Sequence, residues 1–237
     1  MKNPQCCRRA AVLLCALILG GAFVFPAWPQ AGTPGTHPIS GRVYARPMSA
    51  DGADWLSRPE REEEEQPKAA IDALNIRKGA VVADIGAGSG YITALLARRV
   101  GPGGKVYAND IQTRMLDLLR RNMDRQKLAN VEPVLGAIDD PKLPANAIDL
   151  ALMVDVYHEF SEPQKMLRGI RTALKPDGRM ALIEYRGEDP SIPIRPEHKM
   201  TVVQVRAEIE PEGFHFVNTI ETLPRQHIIV FTKQPGK

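Results

Sequence analysis

From about residue 79 onward, short apolar runs alternate with amphipathic stretches, and glycine- or proline-rich breaks separate them. Residues 81–85 read as a buried strand, because the run is apolar, short and β-branched at its start. Residues 91–100 read as a helix ended by Gly101-Pro102-Gly103-Gly104. A second strand at 105–109 precedes a helix at 113–126, with Met115, Leu118, Leu119 and Asn122 along one side. Further strands are predicted at 131–135 and 148–154. A helix at 163–174 is then closed by Lys175-Pro176-Asp177-Gly178, a turn signal, before a fifth strand at 180–184. This alternation predicts a mostly parallel sheet with helices on both faces. The pattern then changes. A helix over 201–210 stops at Pro211 and Gly213, and strands at 214–220 and 226–232 with a short connection predict an antiparallel pair.

Ahead of this body the chain is different. Lys2, Arg8 and Arg9 precede the nearly all-apolar run 10–25, and Pro26, Pro29 and Pro34 follow. A basic start, a short apolar core and a small-residue exit describe an export signal peptide over 1–31, with Ala27 and Ala31 as cleavage candidates. The run is short for a transmembrane helix, yet a retained anchor through residues 10–25 remains the second reading. Arg8-Arg9 adds a weak twin-arginine signature. The expected location is therefore outside the cytoplasm, or anchored with the body outside. Residues 32–57 read as a linker or irregular cover, and 58–237 as the functional domain. Residues 58–66 carry the one charge run, an acidic helix start; residues 67–74 continue as an amphipathic helix.

Composition narrows the chemistry. All three cysteines (Cys6, Cys7 and Cys15) lie in the leader, which leaves the body without a disulfide, a cysteine metal site or a catalytic cysteine. Lys2, Arg8 and Arg9 account for the whole net charge of +3, so the body is formally neutral. A neutral body without a basic run argues against a nucleic-acid partner. His37, His215 and His227 show no ligand spacing, and no metal is expected.

The glycine-rich turn at 84–90, D-I-G-A-G-S-G, joins the first strand to its helix. The dinucleotide fingerprint G-x-G-x-x-G would need a glycine where Tyr91 stands, and no Gly-Lys-Ser/Thr follows, which disfavours hydride transfer and excludes a P-loop. The stretch V-V-A-D-I-G-A-G-S-G-Y-I-T at 81–93 instead resembles motif I of the class I S-adenosylmethionine-dependent methyltransferases. The resemblance continues with G-K-V-Y-A-N-D-I at 104–111, G-A-I-D-D at 136–140, I-D-L-A-L-M-V-D-V-Y-H-E-F at 148–160 and L-K-P-D-G-R at 174–179. It implies an α/β, doubly wound, Rossmann-like fold of seven strands in the order 3-2-1-4-5-7-6, the last antiparallel. It also implies S-adenosylmethionine as methyl donor.

On that resemblance, Asp84, Gly86, Ala87, Gly88 and Gly90 surround the methionine end. Asp110, followed by Ile111, meets the ribose hydroxyls, with a helix N-cap before Ile111-Gln112 as the alternative. Asp155 lies near the methionine end. The acid that many relatives carry after the third strand is Ala137 here, so contact with adenine passes to Asp139 or Asp140. On the acceptor side, Tyr157, His158 and Glu159 are the candidate catalytic residues: His158 as base and Glu159 orienting it, with capping of the next helix as the alternative for both. His198 is a second base candidate. Residues 184–190 and 193–200 are expected at the cleft mouth, and Trp55, Arg58 and Arg61 form either a lid over the donor or an ordinary packed helix.

Three functions follow as expectations. The first is methyl transfer by in-line displacement to a small-molecule acceptor, since 148–179 is similar to quinone-biosynthesis methyltransferases. The second is methylation of a damaged protein carboxylate, since G-S-G-Y-I-T-A-L-L-A at 88–97 also resembles protein isoaspartate methyltransferases. The third is a non-catalytic binding module, because the donor is made in the cytoplasm while the leader points outward. Oligomeric state is not readable from the sequence.

Overall fold

The computed structural model describes residues 35–234. The leader at 1–31, with its cysteines and its cleavage candidates, lies outside the described residues. No helix among the described residues is long and apolar enough to cross a membrane.

The strands are β1 (Val81–Ile85), β2 (Lys105–Asp110), β3 (Val131–Leu135), β4 (Ile148–Val154), β5 (Leu174–Arg186), β6 (Lys199–Met200), β7 (Phe214–Ile220) and β8 (Gln226–Lys233). They form one sheet in the order β3-β2-β1-β4-β5-β8-β7, with the two-residue β6 attached to β5. Without β6 this is the expected seven-strand order. All pairings are parallel except those of β8, which runs antiparallel to both β5 and β7.

The helices are α1 (Arg61–Glu64), α2 (Pro67–Ala73), α3 (Tyr91–Val100), α4 (Thr113–Gln126), α5 (Pro163–Ala173) and α6 (Val202–Ile209). The central strands are buried on both sides, which explains their continuous apolar runs. On one face Ala83, Ile85, Met153 and Leu182 pack with Leu167 and Ile170 of α5 and Val205 and Ile209 of α6. On the other, Val82, Leu150, Leu152 and Ile183 pack with Ile71 of α2 and Leu96 and Val100 of α3. Each such Leu or Ile contributes roughly 1.5–3 kcal/mol by burial. The side chains of α4 that meet the core are Met115, Leu116, Leu119 and Met123; Asn122, expected on that stripe, instead donates to the Ser89 carbonyl.

One element departs from the pattern. The turn expected at 175–178 lies inside β5, which begins at Leu174. Ile148 pairs with Leu174 and Leu150 with Arg179, so the K-P-D-G segment bulges out of a strand that continues beyond it. Proline and glycine signal a break in pairing, which a bulge satisfies as well as a turn does.

Residues 35–57 lie on the body. Arg42 donates to both carboxylate oxygens of the fully buried Glu208 on α6, and its Nη1 reaches the His158 carbonyl at 2.9 Å. The Ala45 amide donates to the same carbonyl at 3.1 Å. A 3-10 segment, Ala50–Ser57, follows, and Gln112 donates to the Met48 carbonyl at 2.7 Å. Low hydropathy and abundant Gly/Pro signal irregular backbone; they do not signal whether that backbone is anchored.

Candidate functional site

The carboxyl ends of β1, β2, β4 and β5 meet where the sheet order reverses, the usual ligand crevice of a doubly wound sheet. The glycine turn after β1 is tightly determined. Gly86 and Gly88 both have positive φ (71° and 54°). A side chain on Gly86 would run into Val156, and one on Gly88 would come 2.6 Å from Leu56 of the 3-10 segment. Glycine is thus demanded by handedness and by two neighbours pressed onto the turn.

Asp84 and Asp110 hold this turn. Asp84 is buried at the end of β1, where it accepts from the Thr93 hydroxyl of α3 at 2.5 Å. Burial pushes its carboxyl up to about 6 against that hydrogen bond. Asp110, buried at the end of β2, accepts from the Gly88 amide through Oδ2 at 2.9 Å and from the Gln112 amide through Oδ1 at 2.8 Å. Burial raises its pKa against those amides. Its two oxygens are therefore fixed in a plane, each with a further lone pair for a vicinal diol. Exposed Ile111, Leu135 and Ile138 provide apolar surface at the ends of β2 and beyond β3. The two acids proposed for adenine each stand beside an exposed lysine. Asp140 pairs with Lys142 at 2.6 Å, and Asp139 lies 3.8 Å from Lys165.

Asp155 follows β4 with φ of +54°, an uncommon conformation that Asp tolerates better than most residues. Gln226 at the start of β8 donates to both its oxygens, at 2.8 and 2.7 Å. Burial, then the neighbouring Glu65 and Glu184, push its carboxyl up to about 8. Glu65 belongs to a network that the charge run alone did not reveal. It accepts from Arg58 and Arg61, each at 2.6 Å, and from the Tyr185 hydroxyl at 2.9 Å. Arg61 also donates to the Leu56 carbonyl at 2.7 Å and lies over the Tyr91 ring, while Arg58 stacks on exposed Trp55 at 3.8 Å. The acidic run is in part a buried ionic lattice that fixes the cover over the glycine turn. Crowded carboxylates at this point make a site suited to a cation.

The acceptor side differs from expectation in three respects. The carboxylate on the His158 ring belongs to Glu184, not Glu159: His158 Nδ1 lies 2.6 Å from Glu184 Oε2. Glu184 is 0% exposed within β5, and its other oxygen accepts from the Tyr157 amide at 3.0 Å. The sequence places Glu184 at the end of the fifth strand, beside the cleft mouth, without assigning it a partner. Second, Tyr157 is fully buried in the core, edge-on to Phe160, and offers nothing to an acceptor. The 3-10 turn Tyr157–Glu159 rotates its side chain inward. Third, His198, on the 3-10 turn Pro196–His198, brings Nδ1 to 3.1 Å from His158 Nε2. Burial opposes charging of His158, but Glu184 outweighs it and holds the ring above the ordinary histidine value. Burial and His158 hold His198 below it. Burial pushes the Glu159 carboxyl up to about 7.

An eight-stranded, mostly parallel sheet in which β8 runs antiparallel, a glycine turn pinned by an acid at the end of β2, and an acid-lined crevice define a Rossmann-like methyltransferase fold. A family model described as a methyltransferase domain matches residues 76–218, and the chain belongs to that family, the class I S-adenosylmethionine-dependent methyltransferases. It is 33% identical over 116 residues to a ubiquinone/menaquinone biosynthesis C-methyltransferase (UbiE) of Idiomarina loihiensis. That match covers 48% of this chain and 46% of the relative, so the chain spans about half the length of the curated relatives it matches. The enzyme of the same name from Escherichia fergusonii matches equally, at 33% over 116 residues. Among solved structures, an S-adenosylmethionine-dependent methyltransferase of Aquifex aeolicus is 26% identical with a TM-score of 0.74, covering 78% of this chain and 98% of that one.

Proposed function

We propose that the chain binds S-adenosylmethionine across the ends of β1, β2 and β4 and transfers its methyl group to a small, oxygen-bearing or carbon-nucleophilic acceptor. The observation that carries this reading is the pairing of two sites at the carboxyl ends of the strands: a diol-ready Asp110 at the end of β2, bonded to the glycine turn, and the Glu184–His158 pair beyond Asp155. The donor's ribose hydroxyls would donate to the free lone pairs of Asp110, and its adenine would lie on Ile111 and Ile138. The acids around Asp155 would face its ammonium and sulfonium charges. The acceptor's nucleophile displaces the sulfur in line. The new bond to the methyl carbon forms as the carbon–sulfur bond breaks, and sulfur keeps the electron pair. An acceptor that holds a proton would pass it to His158 Nε2, with Glu184 fixing the ring. Much of the acceleration is alignment, for which roughly 7–11 kcal/mol is available in favourable cases. The similarity to quinone-biosynthesis methyltransferases favours a quinol or phenol over a protein carboxylate.

Calorimetry with donor and with its demethylated product, followed by labelled-methyl transfer to a panel of quinols, phenols and isoaspartyl peptides, tests this. Binding of neither molecule would sink it; transfer to isoaspartyl peptides alone would move the acceptor to protein. The affinity should also depend on pH. An Asp155 carboxyl near 8 is mostly protonated at neutral pH in the free protein, and a cationic donor favours its ionised form. Donor affinity should therefore rise between pH 6 and 8, by up to about tenfold per unit, and level off above. Asp155→Asn should flatten that dependence; an unaltered slope would assign it to another group.

Location outside the cytoplasm belongs to the same proposal and rests on the N-terminal pattern alone. The expected result is a body recovered from an extracytoplasmic or membrane fraction, its mature N-terminus near Ala27 or Ala31, or uncut if the segment is an anchor. Recovery from the cytoplasm would remove the leader reading and, with it, the difficulty of donor supply.

A further inference from the structure

We propose that His158, Glu159 and His198 form a binding site for a first-row divalent transition ion such as Zn2+. Ligand atoms of these three side chains lie within 4.8 Å of one another. The two histidines come from positions 40 residues apart, so no local motif announces them.

The geometry is that of a metal site more than of a chance histidine pair. His158 Nε2 and His198 Nδ1 lie 3.1 Å apart. Two imidazole nitrogens each bound to one Zn2+ at ~2.0–2.1 Å, at a tetrahedral angle, stand about 3.3 Å apart. Their contact holds the two nitrogens where an ion would. The far nitrogen of His158 is already committed, since Nδ1 lies 2.6 Å from Glu184 Oε2. That carboxylate–histidine pairing is how proteins fix the ring orientation of a ligating histidine.

The frame is rigid on both sides. Arg42 and the Ala45 amide both hold the His158 carbonyl. On the other side β6 pairs Tyr185 with Lys199, which sets Glu184 and His198, each one residue earlier, side by side. Glu159 adds a carboxylate oxygen within 4.8 Å of the two histidine ligand atoms. Two imidazoles and a carboxylate suit Zn2+, Fe2+ or Co2+ better than Mg2+ or Ca2+. Three protein ligands leave a coordination position open. If the methyltransferase reading holds, His158 Nε2 takes the acceptor's proton only in the metal-free protein; in the loaded protein the open position takes the acceptor's oxygen already ionised, which narrows the acceptor class to phenols, enols and quinols.

The test uses neither donor nor acceptor, so its failure leaves the methyltransferase reading intact. Full-length protein carrying Cys6→Ser, Cys7→Ser and Cys15→Ser, stripped with chelator, is titrated with CoCl2 and followed by ligand-field absorption. The expected result is one Co2+ per chain at micromolar affinity or tighter, displaced by Zn2+. His198→Ala and Glu159→Ala should weaken binding at least 100-fold, and Glu184→Gln about 10- to 100-fold. His215→Ala, on the exposed edge of β7, should not change it. Thermal melts and far-ultraviolet circular dichroism confirm that each variant is folded. Absence of a Co2+ spectrum at millimolar metal would overturn the site, as would equal affinity in the parent and in folded His198→Ala and Glu159→Ala.

Discussion

Replacing His158 with alanine is expected to lower kcat by about 10²–10⁴-fold while leaving donor affinity within about twofold of the parent. The size is that of losing a positioned proton-transfer group. The split follows from geometry: His158 is held by Glu184 and His198 on the acceptor side, while the glycine turn is held by Asp84 and Asp110 through bonds that do not involve it. Measured on the acceptor that the quinol and phenol panel identifies, the variant should keep its KM for donor. Glu184→Gln should fall between the two, because glutamine still accepts from the Tyr157 amide but no longer supplies the charge that favours His158 in its protonated form. Unchanged turnover in a folded His158→Ala protein would return the residue to packing. Added imidazole should restore part of the lost rate, which a purely structural role would not predict.

Asp110→Ala is expected to weaken donor binding at least 100-fold. Two hydroxyl bonds to an ionised carboxylate are worth about 1.5–3 kcal/mol each, and ~3 kcal/mol in total already exceeds that factor. The loss has a second source. Asp110 also anchors the Gly88 and Gln112 amides, so the turn loosens when the carboxylate goes. Asp110→Asn separates the contributions. Its amide oxygen can keep one amide partner while its NH2 faces the other as donor against donor, so affinity should fall nearly as far at little change in size. Donor titration by calorimetry reads both variants. Affinity within threefold of the parent in Asp110→Ala would place the ribose elsewhere.

The fold was legible because its strands are buried on both faces. Val81–Ile85, Ile148–Val154 and the interior of β5 are apolar at nearly every buried position, the acids Asp84 and Glu184 at strand ends excepted. Asp84, the glycines and Asp110 were legible for a related reason: they sit at strand ends, where sequence neighbours become site neighbours. The acceptor side was less legible. Glu184 meets His158 across 26 residues, His198 meets it across 40, and Tyr185 meets Glu65 across 120. Nothing local distinguishes a buried acid in a strand from one that opens a turn. Tyr157 and His158 are adjacent, yet a 3-10 turn sends one into the core and the other to the crevice, a choice that the period of a regular helix or strand does not encode.

The position of β8 has a consequence for the order in which the molecule becomes competent. This strand comes latest in the chain among the described strands, but it does not extend the sheet at its rim; it inserts between β5 and β7. Its first residue, Gln226, is the one that secures Asp155. A chain translated only as far as β7 thus has an unpaired edge on β5 and an untethered carboxylate in the crevice. The crevice is therefore complete only once β8 lies between its two neighbours.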